Sequence, residues 1–183
     1  MHQEEFFMEQ NINPGPEVIS KPLEDDGTFP NNPSHPLVLY KKAIIFSEGK
    51  GADIIEEIFN GNKWRGSWRN GIYPFHHYHS TAHEVLGIYK GNARVQFGGE
   101  KGPILAVEPG DVVIIPAGVA HKNINSSHDF RVIGAYPSGQ SWDMNYGKEG
   151  ERPAADKNIT NVPDPRTDPV YGSKSLLLEL WKA

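Results

Sequence analysis

The sequence predicts an all-β protein, built as a sandwich or barrel of short antiparallel strands. From Trp64 onward, short apolar segments are separated by glycine or proline, which is the pattern of strands joined by turns. These segments lie at residues 72–79, 84–90, 93–97, 104–107, 111–115 and 130–136. The sequence contains no internal repeat, so a single barrel is predicted.

Composition narrows the functions that the chain can have. Its 183 residues, 37% hydrophobic and 22% charged, fit one domain of ordinary size with a real core. The net charge is −5, and the lysines and arginines form no basic stripe, so a nucleic-acid partner is not expected. The chain has no cysteine, which excludes disulfides and thiolate ligands. A bound metal would therefore be held by nitrogen and oxygen atoms.

The N-terminal residues predict a cytoplasmic protein. Residues 1–10 are acidic and lack the basic start and apolar stretch of a secretory signal. No segment reaches the ~20 apolar residues that a membrane-spanning helix needs, so no membrane partner is expected.

The segments outside the strand-rich region predict an arm, one or two short helices and a tail. Residues 1–36 are predicted to form an extended N-terminal arm, because prolines between residues 10 and 36 disfavour helices and strand ladders. Residues 37–183 are then the barrel domain, which begins with a strand at residues 37–46. Apolar residues at helical spacing predict a short helix within residues 49–61. Residues 147–172 read as a surface loop, and the final SLLLELW segment reads as a docked strand or helical turn.

The first of two histidine-containing segments is GIYPFHHYHSTAHEVLGIYKG. Alternate residues of a strand point to the same side, so His77 and His79 are predicted to face one point. If the chain turns at residues 80–82 and begins a new strand, Glu84 supplies a carboxylate from that strand. His83 would then point away from Glu84, so only one of these two is expected to be a ligand.

The second segment, GDVVIIPAGVAHKNIN, is predicted to be a strand that ends in a tight turn. Pro116 fixes one backbone angle of this turn, and Gly118 tolerates a positive one. His121 leaves the turn pointing inward. Three imidazoles and one carboxylate can therefore be assembled from the two segments, and such a set suits a divalent metal.

A single histidine is more often a structural side chain than a ligand, and only the clustering reverses that expectation. His76, His83 and His128 have no partner in the proposed set and are interpreted as structural; the alternative role for His83 or His76 is to orient a ligand. His2 and His35 lie in the predicted arm and are given no functional role.

Both segments match the signature motifs of the cupin superfamily, and the chain resembles that family at ten motif positions. The first motif is filled by Gly71, His77, His79, Glu84 and Gly91, and the second by Gly110, Pro116, Gly118, His121 and Asn125. The segments HYHSTAHEVLG, PAGVAH and GAYPSGQ, with the arm and PDPVYG, are also similar to the YjlB-like bacterial cupins.

This resemblance implies a double-stranded β-helix, the small jelly-roll barrel of cupins, with its motif core at residues 71–136. It also implies that His77, His79, Glu84 and His121 bind a metal in the mouth of the barrel. Iron or manganese is favoured, and nickel, cobalt and zinc are accepted by the same donors.

The proposed ligand set leaves positions open on a six-coordinate metal for a small-molecule ligand. Tyr73 and Phe75 share the predicted side of the ligands and are expected to line the pocket. Leu86 and Ile88 also share that side but are expected to pack in the core. A proton-transfer group remains open among four residues. These are Tyr73, Tyr136, His83 and Glu100.

Three functions fit this pattern. The first is a metal-dependent enzyme of the oxygenase or isomerase type acting on a small organic molecule, and the second is a non-catalytic metal-containing binding or sensor barrel. The third is a storage-type barrel in which the metal only stabilises the fold. A metal-free carbohydrate epimerase ranks last, because it has no need of a complete ligand set. The edge strands and the arm predict a homodimer.

Overall fold

The computed structural model describes residues 10–173 and 175–182. The cytoplasmic location was predicted from residues 1–10, of which only residue 10 belongs to the described part. His2 also lies outside the described residues. The described chain forms β1 (Glu17–Leu23), β2 (Asn32–Lys41), α1 (Gly51–Gly61), β3 (Trp64–Asn70), β4 (Glu84–Lys90), β5 (Ala93–Phe97), β6 (Ile104–Val107), β7 (Val112–Ile115), β8 (His121–Ser126), β9 (Arg131–Pro137), α2 (Ala154–Asn161) and α3 (Leu176–Leu180).

The strands form two antiparallel sheets, as the all-β prediction requires. The larger sheet has the order β1-β2-β7-β4-β9-β3, and the smaller one has the order β6-β5-β8. Apolar side chains from both sheets meet in a shared core, which includes Leu86 and Ile88 of β4 and Val95 and Phe97 of β5. The predicted jelly-roll barrel is confirmed, and both Leu86 and Ile88 pack in its core as expected.

The larger sheet is covered on both faces, which explains the continuous apolar runs within its central strands. In β2, Leu37 and Leu39 face the barrel core, whereas Val38 and Tyr40 face a second core on the outer side. All four side chains are almost fully buried. A strand that is buried on both faces reads as a continuous apolar run rather than as an alternating one.

Helix α1 covers the outer face of the sheet. Its residues Ile55, Ile58 and Phe59 are fully buried, and they are among the residues that predicted this helix. The helix approaches β4 so closely that a Cβ atom on Gly87 would lie 2.6 Å from Ile55 and 2.9 Å from Phe59. Glycine at this position therefore sets the distance between helix and sheet.

The C-terminal segment, predicted to be a docked strand or a helical turn, is helical and completes the outer core. It forms the helix α3, whose buried Leu177 packs with Trp181 against the outer face of the sheet. The indole of Trp181 donates a hydrogen bond of 2.9 Å to the carbonyl of Pro36.

The segment predicted as a surface loop also contains α2, whose only buried residue is Ala155. A helix with so little buried surface has no apolar periodicity to reveal it.

Part of the segment predicted as an arm belongs to the sheet. Strand β1 pairs with β2 of the same chain over residues 17–21, and its register shifts between Lys21 and Leu23, at Pro22. The prediction that prolines keep this segment out of a ladder is wrong for β1, because an edge strand tolerates proline at an irregularity. The domain boundary at residue 36 stays a prediction.

In the described part of the chain, no helix is long and apolar enough to span a membrane.

Candidate metal centre

The structure brings together the side chains of His77, His79, Glu84 and His121. One ring nitrogen from each of the three histidines lies within 4.8 Å of those of the other two. Glu84 Oε2 lies 3.5 Å from His79 Nε2 and 3.3 Å from His121 Nε2. All four residues are at most 5% exposed. The donors are therefore close enough to share one ion.

The loop between β3 and β4 carries the first two histidines. It was predicted as a strand at residues 72–79, but it forms only isolated bridges, at His77 to His121 and at Tyr78 to Asn145. The His77 bridge has two backbone hydrogen bonds, of 3.2 and 3.0 Å, which tie the loop to the start of β8. Pro74 interrupts the segment and cannot donate to a ladder, which accounts for the missing strand.

Side-chain direction in this loop follows the predicted alternation. The rings of His77 and His79 lie 6.0 Å apart and both reach the cluster. The rings of His76 and Tyr78 instead lie 5.2 and 6.2 Å from that of Phe29, on the other side.

Backbone carbonyls orient all three imidazoles. His77 Nδ1 donates to the carbonyl of Phe75 at 3.1 Å, and His121 Nδ1 donates to that of Val119 at 3.2 Å. His79 Nδ1 donates to the distant carbonyl of Asp143. Because a carbonyl can only accept, each Nδ1 carries the proton and each Nε2 presents a lone pair to the cluster.

Glu84 presents an oxygen atom that lacks a hydrogen bond. Its Oε1 accepts from the hydroxyl of Tyr136 at 3.2 Å, whereas its Oε2 is buried and makes no hydrogen bond. Burial by itself would raise the pKa of Glu84, but the imidazoles of His79 and His121 outweigh it and hold that pKa well below its usual range. A buried, ionised and unpaired oxygen is costly unless a cation binds it. The donor set therefore fits a divalent metal.

The pKa values of His77 and His79 are shifted in opposite directions. Burial and the neighbouring His121 lower the pKa of His77 to about 3, so this ring is neutral over the physiological range. Burial also opposes protonation of His79, but the charge of Glu84 outweighs it and raises the pKa of His79. Among these two rings, protonation is therefore less unfavourable at His79 than at His77.

A cavity of about 220 Å³ opens onto the cluster. Its wall consists of Trp68, Arg69, Asn70, Gly71, Ile72, Tyr73, Leu86, Tyr136, Trp142 and Met144, besides the four clustered residues. Tyr73 lines the cavity. Phe75 is not part of the wall and is 43% exposed, and it stacks on Tyr73 with a centroid distance of 4.9 Å. Phe75 therefore lies beside the wall, with its ring 5.9 Å from that of His77.

Two of the four residues proposed for proton transfer line the cavity, and they are Tyr73 and Tyr136. His83 lies outside it, where its Nδ1 accepts from the backbone of Ala117 at 3.0 Å. Glu100 has a side chain that is 72% exposed, and it pairs with Lys122 at 3.2 Å. The phenols are therefore the two remaining choices.

The sequence interpretation missed several residues that build the site. Trp68 of β3 donates to the Tyr136 hydroxyl at 2.8 Å, and Trp142 packs 5.5 Å from the ring of His79. Asp143 accepts from the backbone of Ser80 at 2.6 Å and so fixes the segment after β9 beside the histidine loop. These residues lie outside both motifs. In the sequence, the only sign of these residues was that Trp68 and Trp142 each stand among polar residues.

The fold and the motifs define a cupin. Residues 70–133 match the family model described as Cupin domain. The chain is also 46% identical over 157 residues to a protein of Bacillus subtilis (strain 168), and the match covers 86% of this chain and 92% of that protein. The chain therefore belongs to the cupin family. That relative is YjlB, described as an uncharacterized protein, which confirms the resemblance to the YjlB-like group.

Two solved structures show a limited similarity to the chain. Procruciferin, an 11S globulin from Brassica napus, is 24% identical with a TM-score of 0.36, over 44% of this chain and 21% of its own. The chain thus spans about a fifth of the length of that globulin. Acireductone dioxygenase from Bacillus anthracis, which has a cadmium ion in its active center, is 15% identical with a TM-score of 0.41, over 70% of this chain and 83% of its own.

Proposed function

We propose that this cupin binds a divalent metal through His77, His79, Glu84 and His121 and is a metal-dependent enzyme acting on a small organic molecule. The observation that carries the proposal is the convergence of three Nε2 lone pairs and one unpaired carboxylate oxygen within a buried cluster. Oxygenase and isomerase reactions are the two types that the site favours.

The donor set defines which metals the site accepts. Three imidazoles and a carboxylate, without sulfur, suit iron and manganese, and also accept nickel, cobalt or zinc. Four protein ligands leave two positions open on a metal that prefers six. A metal bound here supplies Lewis acidity to the oxygen atoms of a ligand in those positions.

The surrounding residues hold the carboxylate and shape the cavity. The Tyr136 hydroxyl donates to Glu84 and accepts from Trp68, so it keeps the carboxylate in one orientation. Burial, together with the charge of Glu84, raises the pKa of Tyr136 far above its usual range, so this phenol stays protonated. Tyr73 and Trp142 form the walls through which a ligand enters, since both line the cavity and are about half exposed.

One observation favours a second function, a binding or sensor barrel without turnover. Among the proton-transfer candidates, only Tyr73 and Tyr136 line the cavity, and Tyr136 is already engaged by Trp68 and Glu84. A substrate screen under oxygen, with iron or manganese bound, separates the two functions. Turnover of any compound supports the enzyme, and binding without turnover supports the sensor.

The metal proposal is tested by elemental analysis of protein purified without added metal. We expect about one equivalent of metal in the native protein, and a severe loss in the His121→Ala variant. His76→Ala is the matched control, because His76 is also buried but faces away from the cluster. Equal metal content in the two variants, or none in the native protein, contradicts the proposal.

We also propose a homodimer, supported by the position of β1 at the edge of the larger sheet. An edge strand has backbone groups that a second copy can pair with. Light scattering at micromolar concentration measures the mass, and a mass near 20.4 kDa, that of a single chain, contradicts the dimer.

A further inference from the structure

We propose that the ligand of this cavity is a planar aromatic molecule with two adjacent oxygen donors, of the catechol type. This inference rests on the proposed metal centre and names its substrate class. Its basis is what the described residues place around the cluster: aromatic walls, no free cationic side chain and few unused polar groups.

Aromatic rings flank the imidazoles on two sides of the opening. On one side, Trp142 lies 5.5 Å from His79 and stacks at 6.1 Å and 24° on Tyr136. On the other side, Tyr73 lies 5.2 Å from His77. Aromatic faces at such distances attract a further flat ring, in addition to what the burial of its area contributes.

The described residues of the cavity wall offer no free positive side chain to an anionic group such as a phosphate. Arg69 is the one arginine or lysine among the described residues of the wall, and it is already paired. Its guanidinium donates to Asp53 at 2.7 Å and to Glu56 at 2.6 and 3.1 Å. These carboxylates belong to the first part of α1, so the charge of Arg69 is directed to the helix.

Most polar groups of the wall are also engaged within the protein. The Tyr136 hydroxyl and the Trp68 indole bind each other, and Asn70 Oδ1 accepts from the backbone of Gly71 at 2.8 Å. A sugar or another polyol would bury several hydroxyls without partners, and each such hydroxyl weakens binding. The oxygen atoms of the ligand must therefore be few and directed at the metal.

Size and charge agree with one ring. The cavity of about 220 Å³ is smaller than the ~300–1,000 Å³ of sites for drug-sized molecules, so it suits one ring with short substituents. A divalent ion beside the single carboxylate of Glu84 leaves a net positive charge. This charge favours an ionised phenol oxygen over a neutral group.

The test uses full-length protein loaded with zinc and compares two chelators by titration. The first is 4-nitrocatechol, whose absorbance changes when its oxygens coordinate a metal, and the second is acetohydroxamate, an aliphatic chelator with two adjacent oxygens. We expect Trp142→Leu to weaken 4-nitrocatechol about five- to tenfold without changing acetohydroxamate. Trp142→Phe should restore the tighter binding. Tyr146→Leu is the control, since Tyr146 is exposed and lies outside the wall.

The outcomes separate the ligand class from the metal centre. If the zinc content is intact and 4-nitrocatechol does not bind, or Trp142→Leu weakens both chelators equally, the aromatic class is overturned and the metal site stands. If metal analysis shows that no zinc is retained, the metal centre is overturned and the ligand class falls with it.

Discussion

Asp143 is predicted to hold His79 in its metal-binding orientation, and Asp143→Ala tests this. The carboxylate accepts hydrogen bonds from Ser80 N at 2.6 Å, Ser80 Oγ at 2.5 Å, Asn145 Nδ2 at 2.8 Å and Thr81 N at 3.3 Å. The backbone carbonyl of the same residue binds His79 Nδ1. Without the carboxylate, the segment after β9 loses its attachment to the loop of the histidines.

The size of the effect follows from the number of these hydrogen bonds. At about 0.5 kcal/mol each, the low end of the range because Asp143 is only half-buried, four bonds contribute about 2 kcal/mol. A chain of this size loses about 2–4 °C of Tm per kcal/mol, so Tm should fall by about 4–8 °C. Loss of a group that orients a ligand typically weakens metal affinity by about 10–100-fold.

Calorimetry and a zinc titration measure the two effects on the same preparation. Asp143→Asn is the matched variant, because an amide oxygen retains part of the acceptor set, and it should lose less than half as much in both measurements. A fall in Tm with unchanged zinc affinity would refute the positioning role of Asp143. Unchanged values of both would show that the four hydrogen bonds contribute nothing.

Three further predictions concern the cluster and the helix above it. Glu84→Gln should weaken zinc binding by more than about tenfold in a titration, whereas His83→Ala should not weaken it to this extent. If His83→Ala weakens zinc binding more than Glu84→Gln does, the register of β4 is misassigned. Zinc affinity should fall as the pH is lowered, because Glu84 raises the pKa of His79 above its ordinary value and a proton on this ring blocks coordination. An affinity that is constant between pH 5 and 8 is inconsistent with this. Gly87→Ala should cost about 1–3 kcal/mol in denaturant unfolding, because its methyl group would collide with α1, and a neutral result would show that the helix can move away.

Sequence patterns predicted the elements whose burial is regular. The continuous apolar runs of β2 and β7 and the helical spacing of Ile55, Ile58 and Phe59 are each visible in the sequence, because a covered face imposes a period on the residues that fill it. Elements with little buried surface were missed. In β3, only Trp64 is buried, and in α2, only Ala155, so neither presents a period.

The candidate site divides in the same way. Spacing within each motif is local information, so His77 and His79 were expected on one side of the chain, and the structure places them there. Phe75 was expected to share that side, but its position depends on whether the loop pairs as a strand. Whether the loop pairs depends on the partner strand and on Pro74. The alternation of residues along the chain gives no information about this pairing.

The sequence by itself determined the family, the barrel class and the chemical type of the donors, because fixed spacings of histidine, glutamate, glycine and proline are local properties of the chain. Only the tertiary structure decided what surrounds those donors. Asp143 meets Ser80 across 63 residues of sequence, and the Trp68 indole reaches Tyr136 across 68. Contacts of this kind arise when separate strands and loops pack together, and single polar or aromatic side chains carry no periodic signal from which they could be predicted.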